Sequence, residues 1–140
     1  MSTYPPVKTP HLLGTYPALV SAGGGYVWDE VLEYRVWCHP HAGAPDTEEG
    51  NDYYYVFATY EEALSFATAN DGTEPPLALV LQEEYIEEAE PAVFVHIQEQ
   101  RLTEWPVECL TRPRREATTI PAFFSPTAPR NRLDILRGLA

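Results

Sequence analysis

The stretch YYYVFATYEEALSFATAN, residues 53–70, decides how this chain is read. Residues 53–58 are rich in aromatic and β-branched side chains, which suits a pleated, half-buried strand. The next residues change period at once. Thr59 and Glu62 form a T-x-x-E capping box, and Tyr60, Ala63, Leu64 and Ala67 fall at i, i+3, i+4 and i+7. The spacing predicts a helix over 59–69, closed by the turn chemistry of NDGTEPP.

Working outward, VLEYRVWC (31–38) alternates, with Leu32, Tyr34, Val36 and Cys38 on one face and Glu33, Arg35 and Trp37 on the other. That is a period-2 strand, followed by the turn-rich acidic loop HPHAGAPDTEEGND. On the other side, LALVLQEEYI reads as a third strand, and 92–98 and 102–110 as two more. The short connection EQR between the last two suggests an antiparallel pair. The expected fold class is α+β. It consists of a small, mostly antiparallel sheet of about five strands, one well-marked helix and a short C-terminal helix in NRLDILRGLA. Residues 1–14 read as an irregular lead-in, 15–110 as one α+β domain and 111–140 as a basic tail containing prolines and arginines, which can dock on the domain or on a partner.

The chain has 140 residues, 44% of them hydrophobic, and no apolar run approaches the ~20 residues of a membrane-spanning helix. The N-terminus lacks the basic start and apolar core of a signal peptide, and two cysteines are too few for a disulfide framework, so a cytoplasmic protein is expected. Net charge is −12. Residues 29–100 hold 17 acidic side chains and a single basic one, Arg35, whereas seven arginines follow from Arg101 onward. This balance argues against nucleic acid and anionic membranes as partners, since phosphate binding rests on lysine and arginine. It favours a basic protein partner, or mimicry of DNA. Glu83, Glu84, Glu87 and Glu88, within a run that continues to Glu90, are the candidate binding residues, together with Trp37; the alternative for such a run is a solvated strand edge.

Cys38, His39 and His41 invite a chemical reading. Cys38 and His39 are adjacent, so on a strand their side chains leave opposite faces, and His39 and His41 straddle Pro40. No zinc-type spacing is present, so no metal is expected. Cys38 suits a small buried hydrophobe better than a nucleophile. Gly23, Gly24 and Gly25 lack the strand–loop–helix fingerprint of a phosphate loop and read as a flexible turn.

The combination YRVWCHP, DYYYVFATYEEALSFA, PLALVLQEEYIEE and RLTEWPVECL resembles a group of small uncharacterised bacterial proteins, some labelled GNAT-type N-acetyltransferases. The Q/R-x-x-G-x-G/A turn of those enzymes has no match here, so no acetyltransferase site is carried over. A second likeness is to the ADP-ribosyltransferase fold. It implies NAD as cofactor, with Arg35 on its phosphates, Tyr54 stacked on nicotinamide, and Glu104 or Glu108 orienting a ribose hydroxyl. The leading expectation is a non-catalytic acidic binding or accessory protein without a cofactor. The NAD-using transferase is the alternative and a DNA mimic the third.

Overall fold

A computed structural model describes residues 4–139. The chain is α+β. In order its elements are β1 (Ser21–Ala22), β2 (Glu30–Cys38), β3 (Tyr53–Phe57), α1 (Tyr60–Ala69), β4 (Leu77–Gln82), β5 (Tyr85–Glu90), β6 (Val93–Ile97), β7 (Arg101–Pro106), α2 (Thr119–Phe124) and α3 (Arg132–Leu136). A mixed five-stranded sheet has the order β1-β7-β4-β2-β3, and β5 and β6 form a two-stranded sheet. The chain divides into two compact units. One comprises residues up to Leu19 with Val31–Leu79, and the other Val20–Glu30 with the chain from Val80 onward.

In the first unit β2 and β3 pair antiparallel, with Tyr34 opposite Phe57 and Cys38 opposite Tyr53. The alternation of β2 suggests one wet face, but every residue from 31 to 36 is buried, Glu33 and Arg35 included. The lead-in covers that face. Gly14 N–H donates to Glu33 Oε1 at 3.0 Å, and Arg35 donates to the carbonyls of Pro17 (2.6 Å) and Ala18 (3.2 Å). Val7 N–H to Ala58 and Lys8 N–H to Val31 fix the chain upstream, so the expected irregular lead-in is ordered by bonds from both backbone and side chains.

Helix α1 starts where the capping box places it. Thr59 Oγ1 accepts from Glu62 N–H at 3.3 Å and donates to Glu62 Oε1 at 3.0 Å. Ala63 is buried, but Leu64 is exposed, so the apolar stripe is displaced from the expected one. Phe66 makes the contact to the sheet instead, its ring 4.9 Å from Tyr55 and 5.4 Å from Phe57, the side chains that β3 offers it.

In the second unit β1 runs parallel to β7, with Ser21 opposite Thr103. The stretch LALVLQEEYI is two strands, not one, because the chain leaves the first ladder at Glu83 and Glu84. β5 then pairs antiparallel with β6, Tyr85 opposite Ile97 and Glu88 opposite Phe94. The expected 92–98 with 102–110 hairpin therefore does not form. The tight turn lies at Pro91–Ala92, where Ala92 adopts φ +65° and its N–H donates to Glu88 Oε2 at 2.7 Å. β7 stops at Pro106, which has no N–H for a ladder, and Val107–Thr111 continues as a 3-10 turn.

The C-terminal segment packs within this second unit. Ile120 and Phe123 of α2 and Leu136 of α3 join Val27 and Ile86 in one buried cluster. Arg115 Nε donates to Asp29 Oδ1 at 2.8 Å, and its Nη1 to Glu84 Oε2 at 3.2 Å, while Trp28 Nε1 donates to the Arg112 carbonyl. The basic tail thus docks in cis, on part of the acidic span. Among the described residues no helix is long and apolar enough to cross a membrane.

Candidate functional site

A groove of about 440 Å³ in the second unit brings together residues that lie far apart in sequence. Its lining includes Gly23, Gly24 and Gly25, Tyr26, Tyr85, Glu87, Glu88 and three arginines, Arg101, Arg112 and Arg137. The backbone at its rim is unusual, with four consecutive positive φ angles: +71°, +79°, +87° and +66° at residues 23–26. For Tyr26 this conformation costs on the order of 1–2 kcal/mol, and such strain collects where structure serves a ligand. It is held by buried polar groups. Gln82 Nε2 donates to the carbonyls of Gly24 (3.1 Å) and Val27 (2.8 Å), and Trp105 Nε1 donates to Gly24 O at 2.9 Å. Gly25 is required here, because a Cβ would stand 2.3 Å from Gln82 Nε2.

The cations of the groove are positioned by aromatic rings and amides. Arg101 Nε donates to Gln82 Oε1 at 2.6 Å, and its guanidinium lies 4.0 Å from the Tyr85 ring centroid. Arg112 and Arg137 both approach Tyr26, at 5.9 and 5.7 Å from its centroid, and Arg112 also lies 5.2 Å from Trp105. Tyr26 Oη donates to Glu88 Oε1 at 3.1 Å. The Ala92 N–H and the Tyr26 hydroxyl hold the Glu88 carboxyl below the usual carboxylate range, and Arg137 adds to the effect. Three guanidiniums in one groove, each a planar multiple donor, suit recognition of phosphate or carboxylate oxygens. None of the three was singled out by sequence. The available signal was the return of positive charge at Arg101 after the acidic span, together with the glycine run.

The residues marked in the sequence fall elsewhere. Arg35 and its strand neighbour Glu33 are fully buried, and Arg35 Nε donates to Glu33 Oε2 at 2.7 Å. The guanidinium lies 4.6 Å from the Tyr54 ring centroid, so Arg35 and Tyr54 do meet. Tyr54 is also in contact with Trp37, at 4.7 Å, and both line a shallow pocket of about 340 Å³ with Ala18, Glu48, Asp52 and Tyr53. Glu104 lies on β7 opposite Ala22, and Glu108 is exposed on the following 3-10 turn. Of the acidic run, Glu83 and Glu87 are exposed, Glu84 holds Arg115 and His96 (2.7 Å), and Glu88 belongs to the groove. Cys38 is buried, and burial pushes its thiol pKa up, away from nucleophile chemistry.

Pro40 does not separate the two histidines. It begins a 3-10 turn, Pro40–Ala42, that brings the His39 and His41 rings to 5.4 Å. His39 sits between two carboxylates, with Asp52 Oδ1 2.8 Å from Nδ1 and Glu74 Oε2 3.2 Å from Nε2. Asp52 raises the His39 pKa above the ordinary histidine range; burial opposes this and Glu74 adds to it. The two atoms are within ion-pair distance, but the contact does not meet hydrogen-bond geometry, and Nδ1 is shielded from solvent. No protein-family model matches the chain, and neither the curated proteins nor the solved structures contain a match to it.

Proposed function

We propose that this chain is a binding module and that its ligand is an anionic small molecule bearing phosphate or carboxylate groups, taken into the arginine-lined groove. The observation that carries this reading is the convergence of Arg101, Arg112 and Arg137 on one groove beside the strained Tyr26, in a chain of net charge −12. The three guanidiniums repel one another, and an anion bound among them would offset that repulsion. Arg35, the candidate for gripping NAD phosphates, supports such a role less well, since its guanidinium engages Glu33 and two backbone carbonyls.

The test is calorimetric titration of the full chain with pyrophosphate and with citrate at low ionic strength, separating the two anion classes. Saturable binding that weakens about 10- to 100-fold in Arg112→Gln or Arg137→Gln is expected, the loss of one charge-assisted hydrogen bond being about 1.5–3 kcal/mol. No saturable binding of either anion, or binding indifferent to both substitutions, overturns the proposal. A basic protein partner is the second reading, supported by the exposure of Glu83 and Glu87. It predicts oligolysine binding that fails when glutamates 83–90 are changed to glutamine.

A further inference from the structure

The loop that follows β2 carries a second cluster, independent of the groove. His39 is extended, the 3-10 turn Pro40–Ala42 folds His41 back beside it, and Asp52 faces both from the approach to β3. One ligating atom from each of His39, His41 and Asp52 lies within 4.8 Å of the others. Asp52 Oδ1 is 2.8 Å from His39 Nδ1 and 4.0 Å from His41 Nδ1. A tetrahedral zinc ion with bonds of about 2.0–2.1 Å spaces its ligand atoms about 3.3 Å apart, which lies inside this spread.

Two further features distinguish this cluster from a chance gathering of polar groups. The first is His39 Nδ1 itself, shielded from solvent and 2.8 Å from a carboxylate oxygen without a hydrogen bond to it. A cation placed between the two would accept both the Nδ1 lone pair and the carboxylate oxygen. The second is Glu74, 3.2 Å from the other ring nitrogen. With a cation on Nδ1, a carboxylate there would accept the Nε2 proton and orient the ring, as in carboxylate–histidine–metal arrays. The scaffold is also fixed: His39 N–H donates to Gly72 O at 2.8 Å, and Glu74 N–H to Trp37 O at 2.9 Å. Gly72 has φ +74°, and a Cβ there would meet Ala44 N at 2.2 Å, so the two loops close on one another only with glycine at this position.

We propose that His39, His41 and Asp52 form a site for a divalent cation of the zinc class, with Glu74 orienting His39 and a fourth position left to water. Two imidazoles and one carboxylate favour zinc, cobalt or nickel over magnesium and calcium, which prefer oxygen throughout. The experiment titrates the full chain with Co2+, followed by its visible absorption, and displaces it with Zn2+. A single saturable site is expected. His41→Ala, at an exposed position that does not threaten folding, should weaken binding at least ~10-fold, and Glu74→Gln about 10- to 100-fold. His96→Ala, outside the cluster, should leave affinity unchanged. Absence of saturable binding by the wild-type chain overturns the proposal. So does affinity that survives His41→Ala and Asp52→Asn, or that depends on His96 instead.

Discussion

The buried Glu33–Arg35 pair gives the sharpest quantitative expectation. Both side chains are fully buried, and Arg35 Nε stands 2.7 Å from Glu33 Oε2. Arg35→Met keeps an unbranched stem as far as the position of Nε but removes the guanidinium and its charge, which leaves the Glu33 carboxylate in the interior with one of its strongest partners gone. Losing one member of a buried ion pair costs about 3–5 kcal/mol, because the survivor stays desolvated and uncompensated. Against a typical total of about 5–15 kcal/mol, this is a large fraction of the stability. With an unfolding entropy near 2.1 cal/mol/K per residue, 140 residues give ~0.3 kcal/mol/K, so Tm should fall by roughly 10–17 °C. Urea unfolding followed by tryptophan fluorescence measures the change, at two salt concentrations, since a buried pair is screened little. The double variant Glu33→Gln/Arg35→Met should cost about 1–3 kcal/mol less than the sum of its singles. A loss under about 1 kcal/mol for Arg35→Met, the scale of an exposed pair, would refute the reasoning, as would strict additivity.

Two other outcomes follow from local geometry. Gly25→Ala must displace Gln82 from the Gly24 and Val27 carbonyls as well as strain a left-handed residue, so thermal denaturation should show a loss of about 2–3 kcal/mol; Gly23→Ala, with open space around its Cβ, should lose only about 1 kcal/mol from backbone strain. In the folded protein a neutral disulfide reagent should modify the partly exposed Cys109 at least ~10-fold faster than the buried Cys38, whose thiol pKa is raised by burial, and equal rates would contradict that assignment.

How much of this was legible in the chain depends on the range of the interactions involved. Helix α1 was readable because its cap, Thr59 with Glu62, is a contact between residues three apart. Leu64 was misplaced on its buried face because the sheet side chains that receive the helix, Tyr55 and Phe57, are decided by tertiary packing. The pairing of β6 with β5 departs from the sequence expectation for the same reason. The EQR connection looked like a hairpin, but the turn at Pro91–Ala92 is stabilised by the Glu88 side chain four residues back, and this gives β6 to β5.

The sequence by itself determined the α+β class, the strand-to-helix switch at Thr59 and the uneven charge, all of which rest on periodicity and composition. Only the tertiary structure decided the sites. Arg101, Arg112 and Arg137 meet because a glycine run turns left-handed and the C-terminal segment docks through Ile120, Phe123 and Leu136. Likewise His39 and His41, apparently separated by proline, meet because that proline starts a 3-10 turn with Asp52 beside it. Sites assembled by long-range contacts leave no spacing in the chain to read, whereas a capped helix or an alternating strand carries its pattern within a few residues.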